Sequence, residues 1–222
     1  MSFSHSKKLV SEGLGTALLL AVVIGSGIMG ERLSGGNDAI ALLGNTLATG
    51  AALIVLISIF GPISGAHFNP AVTLAFFIRK EMGWKLAIGY VVIQMCGAVM
   101  GIYIAHEMFA EPLFQVSTKL RDGSSQIFSE FIASFGLFIT IFGVARFKKE
   151  FIATAVGLYI TAAYWFTAST SFANPAVTIA RSLSDSFAGI APSSVLPFIL
   201  AQFFAAIVAT FFCAWLFNSK ET

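Results

Sequence analysis

The chain has 222 residues and a formal net charge of +2, and 57% of its residues are hydrophobic while only 11% are charged. Soluble domains carry about 25% charged residues, so this composition excludes an ordinary soluble protein, and so small a net charge predicts no nucleic-acid partner. We expect an integral membrane protein that contacts lipid and forms one domain over residues 1–222.

Six apolar stretches follow one another along the chain, and each is close to the about 20 residues that an α-helix needs to cross a hydrocarbon core. They are residues 10–30, 39–60, 84–104, 127–144, 151–167 and 195–217. The first stretch is longer than the roughly 7–15 apolar residues of a signal peptide, and no clear cleavage site follows it. We therefore expect it to be a retained helix.

The lysines and arginines are distributed unevenly between the segments that connect these stretches. If the N-terminus is cytoplasmic, nine of them lie inside and four outside, in agreement with the positive-inside rule. The nine are Lys7, Lys8, Arg79, Lys80, Lys85, Arg146, Lys148, Lys149 and Lys220, and the four are Arg32, Lys119, Arg121 and Arg181. The sequence predicts a multi-pass protein of the cell (inner) membrane with both termini in the cytoplasm.

The two halves of the chain are similar to each other. Residues 67–79 read HFNPAVTLAFFIR, and residues 171–184 read SFANPAVTIARSLS. Glu12 and Glu130 begin the first and fourth stretches, and Gln94 and Gln202 lie in the third and sixth. Three spans per half is an odd number, so the second half must enter the membrane from the opposite side. This predicts an inverted repeat, approximately residues 8–110 and 126–218, a layout that many transport proteins use.

Each Asn-Pro segment has the residues that begin a helix. Asn is a favoured N-cap, and Pro suits the first helical turn. Residues 71–77 and 176–183 are therefore expected to form helices too short to cross the membrane. Non-helical backbone at membrane depth is tolerated only where it is buried or lines a watery cavity. We expect the two half-helices to meet with their N-termini near the middle of the membrane.

These features make the sequence similar to the aquaporins, also called major intrinsic proteins, over nearly its whole length. The residues that carry the resemblance are SGAHFNPAVTLA at 64–75, the second Asn174-Pro175-Ala176, the paired Glu12 and Glu130, and Gln94 with Gly97-Ala98. The resemblance implies an all-α membrane protein of six transmembrane helices plus two half-helices around one pore per subunit. It also implies a homotetramer that passively conducts water or small neutral solutes.

The resemblance assigns roles to several polar residues. The two pore motifs are Asn69, Pro70, Ala71, Asn174, Pro175 and Ala176. Facing helix N-termini carry partial positive charge, and half-helix dipoles of this kind exclude cations from aquaporin-type pores. Glu12 and Glu130 are expected to accept N–H groups from the loops that carry the half-helices, although a carboxylate inside a membrane also raises the possibility of proton relay. His67 is expected at the pore mouth.

The selectivity filter departs from the common family pattern. Aquaporins usually have Arg three residues after the second motif Asn, whereas this chain has Val177 there, and Arg181 follows four residues later. Four residues are about one helical turn, so we expect Arg181 in the hydrated outer vestibule. In an alternative alignment with an inserted turn, Arg181 itself is the filter residue. The other filter positions are Thr49, Ser171 and, in helix five, Tyr164, which we favour over the alternative Ala162.

This filter resembles that of bacterial aquaglyceroporins associated with arsenic resistance. It predicts a passive channel for glycerol-like polyols, arsenous acid or methylated arsenicals, and water. A water-selective aquaporin and an ion-coupled secondary transporter are the alternatives. The sequence has no nucleophile–base pair, and neither Cys96 nor Cys213 has His or Cys at ligand spacing. We expect neither an enzyme nor a bound cofactor or metal.

Overall fold

The computed structural model describes residues 3–218, and within that range the protein is helical without β-strands. Its helices are α1 (His5–Leu33), α2 (Asp38–Ser64), α3 (Pro70–Ile78), α4 (Trp84–Phe109), α5 (Ser124–Phe147), α6 (Ile152–Phe166), α7 (Pro175–Arg181) and α8 (Pro192–Leu216), with a 3₁₀ turn at Lys149–Phe151 before α6. Lys220, one of the charges that predict the orientation, lies outside the described residues.

Five helices within residues 3–218, namely α1, α2, α4, α5 and α8, are long and apolar enough to cross a membrane. The sequence predicts a sixth span over residues 151–167, and the structure has a shorter helix there, α6, of 15 residues. It is shorter because Phe151 belongs to the 3₁₀ turn and Thr167 has extended backbone (φ −111°, ψ 137°). Thr167 therefore begins the loop that leads to α7.

The long helices pack closely where glycine removes the side chain. Helix α1 packs against α4 and α2, α5 packs against α8, and α2 packs against α6. A Cβ atom at Gly97 or Gly101 of α4 would overlap the main-chain carbonyls of Gly13 and Ala17 in α1. Small residues let membrane helices approach backbone to backbone and gain van der Waals contact, which is the main attraction between helices in lipid.

The two short helices, α3 and α7, lie between the long ones and contact each other. Helix α3 has nine residues and α7 has seven. The expectation that α7 continues to residue 183 is wrong, because its last turn tightens. The Ser182 and Leu183 N–H groups bond carbonyls three residues back, as in a 3₁₀ turn. The chain then leaves the helix axis after Arg181, which places that side chain at the end of α7.

Candidate pore and selectivity filter

The motif asparagines cap the two short helices. The Asn69 side-chain oxygen accepts the N–H groups of Ala71 and Val72, the second and third residues of α3, at 2.9 and 3.4 Å. The Asn174 oxygen does the same at 3.0 and 3.3 Å. Proline follows each cap at the first helical position, where its missing N–H costs nothing. Both half-helices therefore begin with a satisfied cap.

The same two asparagines join the halves of the protein. The Asn69 Nδ2 group donates to the Ala173 carbonyl at 2.8 Å, and the Asn174 Nδ2 group donates to the Phe68 carbonyl at 2.8 Å. An amide nitrogen carries two hydrogens, so one N–H of each side chain remains beyond this bond. Both asparagines line the central cavity. The two asparagines therefore bring the N-termini of α3 and α7, which carry partial positive charge, together at the cavity.

Glu12 is fully buried and supports the loop before α3. Its carboxylate accepts hydrogen bonds from the Ser64 hydroxyl at 2.6 Å, the His67 N–H at 2.9 Å and the Phe68 N–H at 2.7 Å. The Gln94 side chain completes the set at 2.8 Å. Phe68 has a left-handed backbone (φ 47°), a conformation that costs a non-glycine residue about 1–3 kcal/mol. The carboxylate offsets that cost.

Glu130 has the equivalent position in the second half and is also fully buried. It accepts from the Phe172 N–H at 2.8 Å, the Ala173 N–H at 2.9 Å and Gln202 Nε2 at 2.7 Å. Ala173 has the same left-handed backbone as Phe68 (φ 47°). The donors in these two sets are loop or glutamine N–H groups and one serine hydroxyl. Such bonds fix the loops in place.

A cavity with about 940 Å³ of empty space, counted with its open ends, passes between these elements. Its wall contains the predicted pore and filter residues Thr49, His67, Asn69, Tyr164, Ser171, Asn174, Val177 and Arg181. Much of the remaining wall is aliphatic, from α1, α2, α5 and α6. Ala162 is exposed and does not belong to the wall, so of the two α6 candidates only Tyr164 borders the cavity. The centres of the His67 and Phe76 rings are 4.6 Å apart.

Three polar atoms of this wall are buried without a hydrogen-bond partner: Thr49 Oγ1, Ser171 Oγ and Arg181 Nη1. A buried polar atom left unpaired costs about 1–3 kcal/mol. Val177, 6% exposed, adds an apolar surface to the same wall. The wall therefore combines polar side chains with an apolar face, a composition that suits a small neutral molecule with both hydroxyl and carbon surfaces.

The sequence predicts Arg181 in a hydrated vestibule, and this prediction is wrong. The side chain is only 1% exposed. Its Nε donates to the Ala188 carbonyl, its Cζ lies 3.5 Å from the centre of the Phe172 ring, and it shares the cavity wall with Tyr164. The reason is that the chain after α7 folds back, and the Ile190 N–H bonds the Arg181 carbonyl at 3.4 Å. The guanidinium is thus part of the cavity wall.

The sequence predicts for Arg121 only a position outside the membrane. The structure buries it to 9% exposure in the loop between α4 and α5 and places its guanidinium 5.0 Å from the Phe172 ring centre. Burial lowers the pKa of Arg121 to about 10. Burial, with Arg121 and Arg181 nearby, also lowers the pKa of Lys119. No periodicity or motif in the sequence marks these two residues.

A bundle of membrane-crossing helices with two capped half-helices meeting at a cavity defines a membrane channel for small solutes. The family model of the major intrinsic proteins matches residues 1–152. The chain belongs to the major intrinsic protein family, whose members are channels and not enzymes.

Two relatives and one solved structure give the extent of the similarity. Aquaglyceroporin AqpS of Rhizobium meliloti (strain 1021) is 49% identical over 214 residues, which cover 96% of this chain and 91% of that protein. Aquaporin NIP1-1 of Oryza sativa subsp. japonica is 30% identical over 217 residues, covering 96% and 73%. The X-ray structure of the aquaglyceroporin from Plasmodium falciparum matches with a TM-score of 0.74 at 18% identity, covering 97% and 96% of the two chains, and therefore shares the fold.

Proposed function

We propose that this channel passively conducts glycerol-sized neutral solutes, namely polyols and arsenous acid or methylated arsenicals, together with water. The observation that carries the proposal is Val177, which lines the cavity three residues after Asn174. A valine there leaves an apolar, uncharged wall where a guanidinium would narrow the passage. We assign the filter to Thr49, Tyr164, Ser171 and Val177, with the Arg181 guanidinium beside them.

The polar side chains of the wall support a solute with hydroxyl groups. Thr49 and Ser171 contribute hydroxyls and Arg181 a guanidinium to the cavity lining, and these groups can donate hydrogen bonds to the oxygens of a permeating solute. A cation gains no such bond from a guanidinium and meets the partial positive charges of two helix N-termini as well. The wall therefore favours neutral polyols over ions.

One relative that is 49% identical supports the same class of solute. It is named an aquaglyceroporin, and its similarity extends over most of both chains. We extend the polyol specificity in its name to this chain. The arsenicals are a part of the proposal that depends on the resemblance of the filter, because As(OH)₃ is a neutral trihydroxy molecule similar in size and hydrogen bonding to glycerol.

We further propose one channel domain built from two inverted repeats, approximately residues 8–110 and 126–218, and a homotetramer in the inner membrane with cytoplasmic termini. The matching bonds of Glu12 and Glu130 to their loops support the repeat. Exposed apolar side chains such as Phe211 (62%) and Trp215 (72%) suit contact with lipid or another subunit. The excess of positive charge, nine against four, supports the orientation.

One observation favours a second candidate, a water-selective pore in which Arg181 is the filter residue. Arg181 lines the cavity, lies against the Phe172 ring and has one nitrogen without a partner. A guanidinium beside an aromatic ring narrows a pore and supplies fixed donors. The two candidates differ in whether glycerol passes.

Stopped-flow light scattering of proteoliposomes tests the proposal. Purified protein in liposomes is challenged with gradients of glycerol, urea and sorbitol, and arsenite uptake is measured in parallel, with protein-free liposomes as the control. We expect rapid water and glycerol flux and arsenite uptake, without dependence on a proton or sodium gradient. Water flux without glycerol flux would support the water-selective candidate, and flux driven by an ion gradient would support a secondary transporter.

A further inference from the structure

Three consecutive main-chain carbonyls that follow α7 each accept a hydrogen bond from a different cationic side chain. In residues 187–189, Lys119 Nζ donates to the first carbonyl at 2.8 Å, Arg181 Nε donates to the second, and Arg121 Nε donates to the third at 2.9 Å. Two of these cations come from the outer loop, defined here as residues 110–123 between α4 and α5. The third is the guanidinium of the cavity wall.

Arg121 also reaches the chain that enters α7. Its Nη1 lies 3.4 Å from the Ser169 carbonyl and 3.3 Å from the Thr170 hydroxyl. Thr170 has a left-handed backbone (φ 59°), so this contact supports a segment that is costly to form. Arg121 and Arg181 both lie over the Phe172 ring, at 5.0 and 3.5 Å. One side chain of the outer loop therefore joins the segments before and after the second half-helix.

The outer loop is itself attached firmly beside the pore. The Lys119 carbonyl accepts the Ala191 N–H at 2.7 Å, the Arg121 N–H donates to Ser194 Oγ at 3.1 Å, and the Ser117 N–H donates to the Ser182 carbonyl at 2.9 Å. These bonds hold the loop on both the end of α7 and the start of α8. A loop attached in this way can transmit its position to Arg181.

Repulsion among the three neighbouring cations destabilises the folded state unless hydrogen bonds or negative charges offset it. Burial lowers the pKa of both Lys119 and Arg121, and the Arg121 and Arg181 charges lower that of Lys119 further. Asp38 and Glu31 act on Lys119 in the opposite direction, and Glu31 accepts the N–H of residue 187 at 2.9 Å. The three carbonyl oxygens are the nearest acceptors of the cations. These contacts offset the repulsion and hold the three cations beside residues 187–189.

We infer that Lys119 and Arg121 are positioning residues for Arg181: they fix residues 187–189, whose middle carbonyl holds the guanidinium, and so set the solute selectivity of the cavity. The inference rests on the proposed function, in which Arg181 borders the path of the solute. Loss of either positioning residue frees the guanidinium to move relative to Tyr164 and Ser171. The selectivity then changes without any substitution in the cavity wall.

The test measures the ratio of glycerol to water permeability, which does not depend on how much folded protein a vesicle contains. The variants are Arg181→Ala, Arg121→Met and the double variant, with Arg79→Met as the matched control. Arg79 is a partly exposed arginine that bonds Glu81 and contacts neither the outer loop nor residues 187–189. We expect Arg181→Ala and Arg121→Met each to raise the ratio by about tenfold, the equivalent of one charge-assisted hydrogen bond at its weaker limit. The double variant should change it no further than Arg181→Ala, and Arg79→Met should leave it unchanged.

The outcomes separate this inference from the proposed function. If Arg181→Ala changes the ratio and Arg121→Met does not, or if their effects simply add, the inference is overturned and the proposed function stands. If wild-type vesicles conduct no glycerol, the proposed function fails first. If Arg121→Met does not fold, Lys119→Met removes the bond to the carbonyl of residue 187 and the contact with the Phe187 ring, and it keeps the main-chain bonds of the loop. We then expect a smaller rise in the ratio and faster hydrogen exchange of the amides of residues 189 and 190. An unchanged ratio and unchanged exchange overturn the inference.

Discussion

Replacing Glu130 by glutamine should destabilise the folded channel, although the two side chains have almost the same size and shape. The carboxylate accepts three hydrogen bonds, from Phe172 N, Ala173 N and Gln202 Nε2. A glutamine keeps one oxygen acceptor and replaces the other by an NH₂ donor. That donor would face the Ala173 N–H and the Gln202 amide. At least one main-chain N–H then loses its partner.

The magnitude follows from which bonds can be recovered. Gln202 has an unpaired Oε1, so a rotation of its amide could accept the new NH₂ group. The rotation gives up the bond from Gln202 Nε2 to Thr178 Oγ1, now 2.8 Å. The Ala173 N–H stays unpaired at about 1–3 kcal/mol. The remaining bonds are weaker because they are no longer charge-assisted, while removal of a buried charge offsets part of this cost. We expect the free energy of unfolding to fall by about 2–4 kcal/mol.

Thermal unfolding of the purified protein in detergent measures this loss. For a chain of this length, 1 kcal/mol shifts Tm by about 2–4 °C, so Tm should fall by about 4–16 °C. Glu150→Gln makes the same chemical change at an exposed position and should change Tm by less than about 2 °C. The reasoning would be refuted if Glu130→Gln unfolded like the wild type. A normally folded variant that has lost proton-coupled uptake would instead identify a proton relay.

Two further predictions concern the motif and the helix crossing. Asn69→Asp or Asn174→Asp places a negative charge between two helix N-termini, so we expect reduced glycerol flux or a cation leak, measured by vesicle swelling and by electrical recording in planar bilayers. Unchanged flux without any current in both variants would contradict the pore role of the asparagines. Gly97→Val pushes a branched side chain into the Gly13 carbonyl, and we expect loss of folded protein by size-exclusion chromatography in detergent. Gly83→Val, where a Cβ meets nothing within 4 Å, is the control.

Much of the fold and several site contacts could be predicted from local sequence. Asn-Pro-Ala at 69–71 and 174–176 fixes a cap and a helix start by short-range chemistry. The length of the apolar stretches limits what can cross a membrane. The pairing of Glu12 and Glu130 with the loops could be predicted because a carboxylate in lipid needs donors, and the resemblance indicated which donors. The caps and apolar lengths depend on residues close in sequence, whereas the glutamate contacts span 56 and 43 positions and could be predicted only through the resemblance.

The position of Arg181 could not be predicted in this way. Arg181 follows Val177 by about one helical turn, which indicates that its Cα lies further outward. The long side chain, however, takes its direction from residues 187–191, which fold back over it. The role of Arg121 depends on contacts to residues 48 and 68 positions away. Its loop has neither helical nor strand periodicity. Such long-range packing appears only when the whole chain is folded.

The measurement that tests the central claim most directly is the glycerol permeability of Val177→Arg compared with the wild type and with Val177→Met. The claim is that an uncharged apolar wall at this position lets a glycerol-sized solute pass. A guanidinium there should reduce glycerol permeability by about tenfold or more, since each 1.4 kcal/mol of added barrier is tenfold in rate, while water permeability falls much less. Val177→Met, which adds length without charge, should retain most of the glycerol flux. If Val177→Arg conducts glycerol as fast as the wild type, Val177 does not border the filter, and Arg181 takes its place.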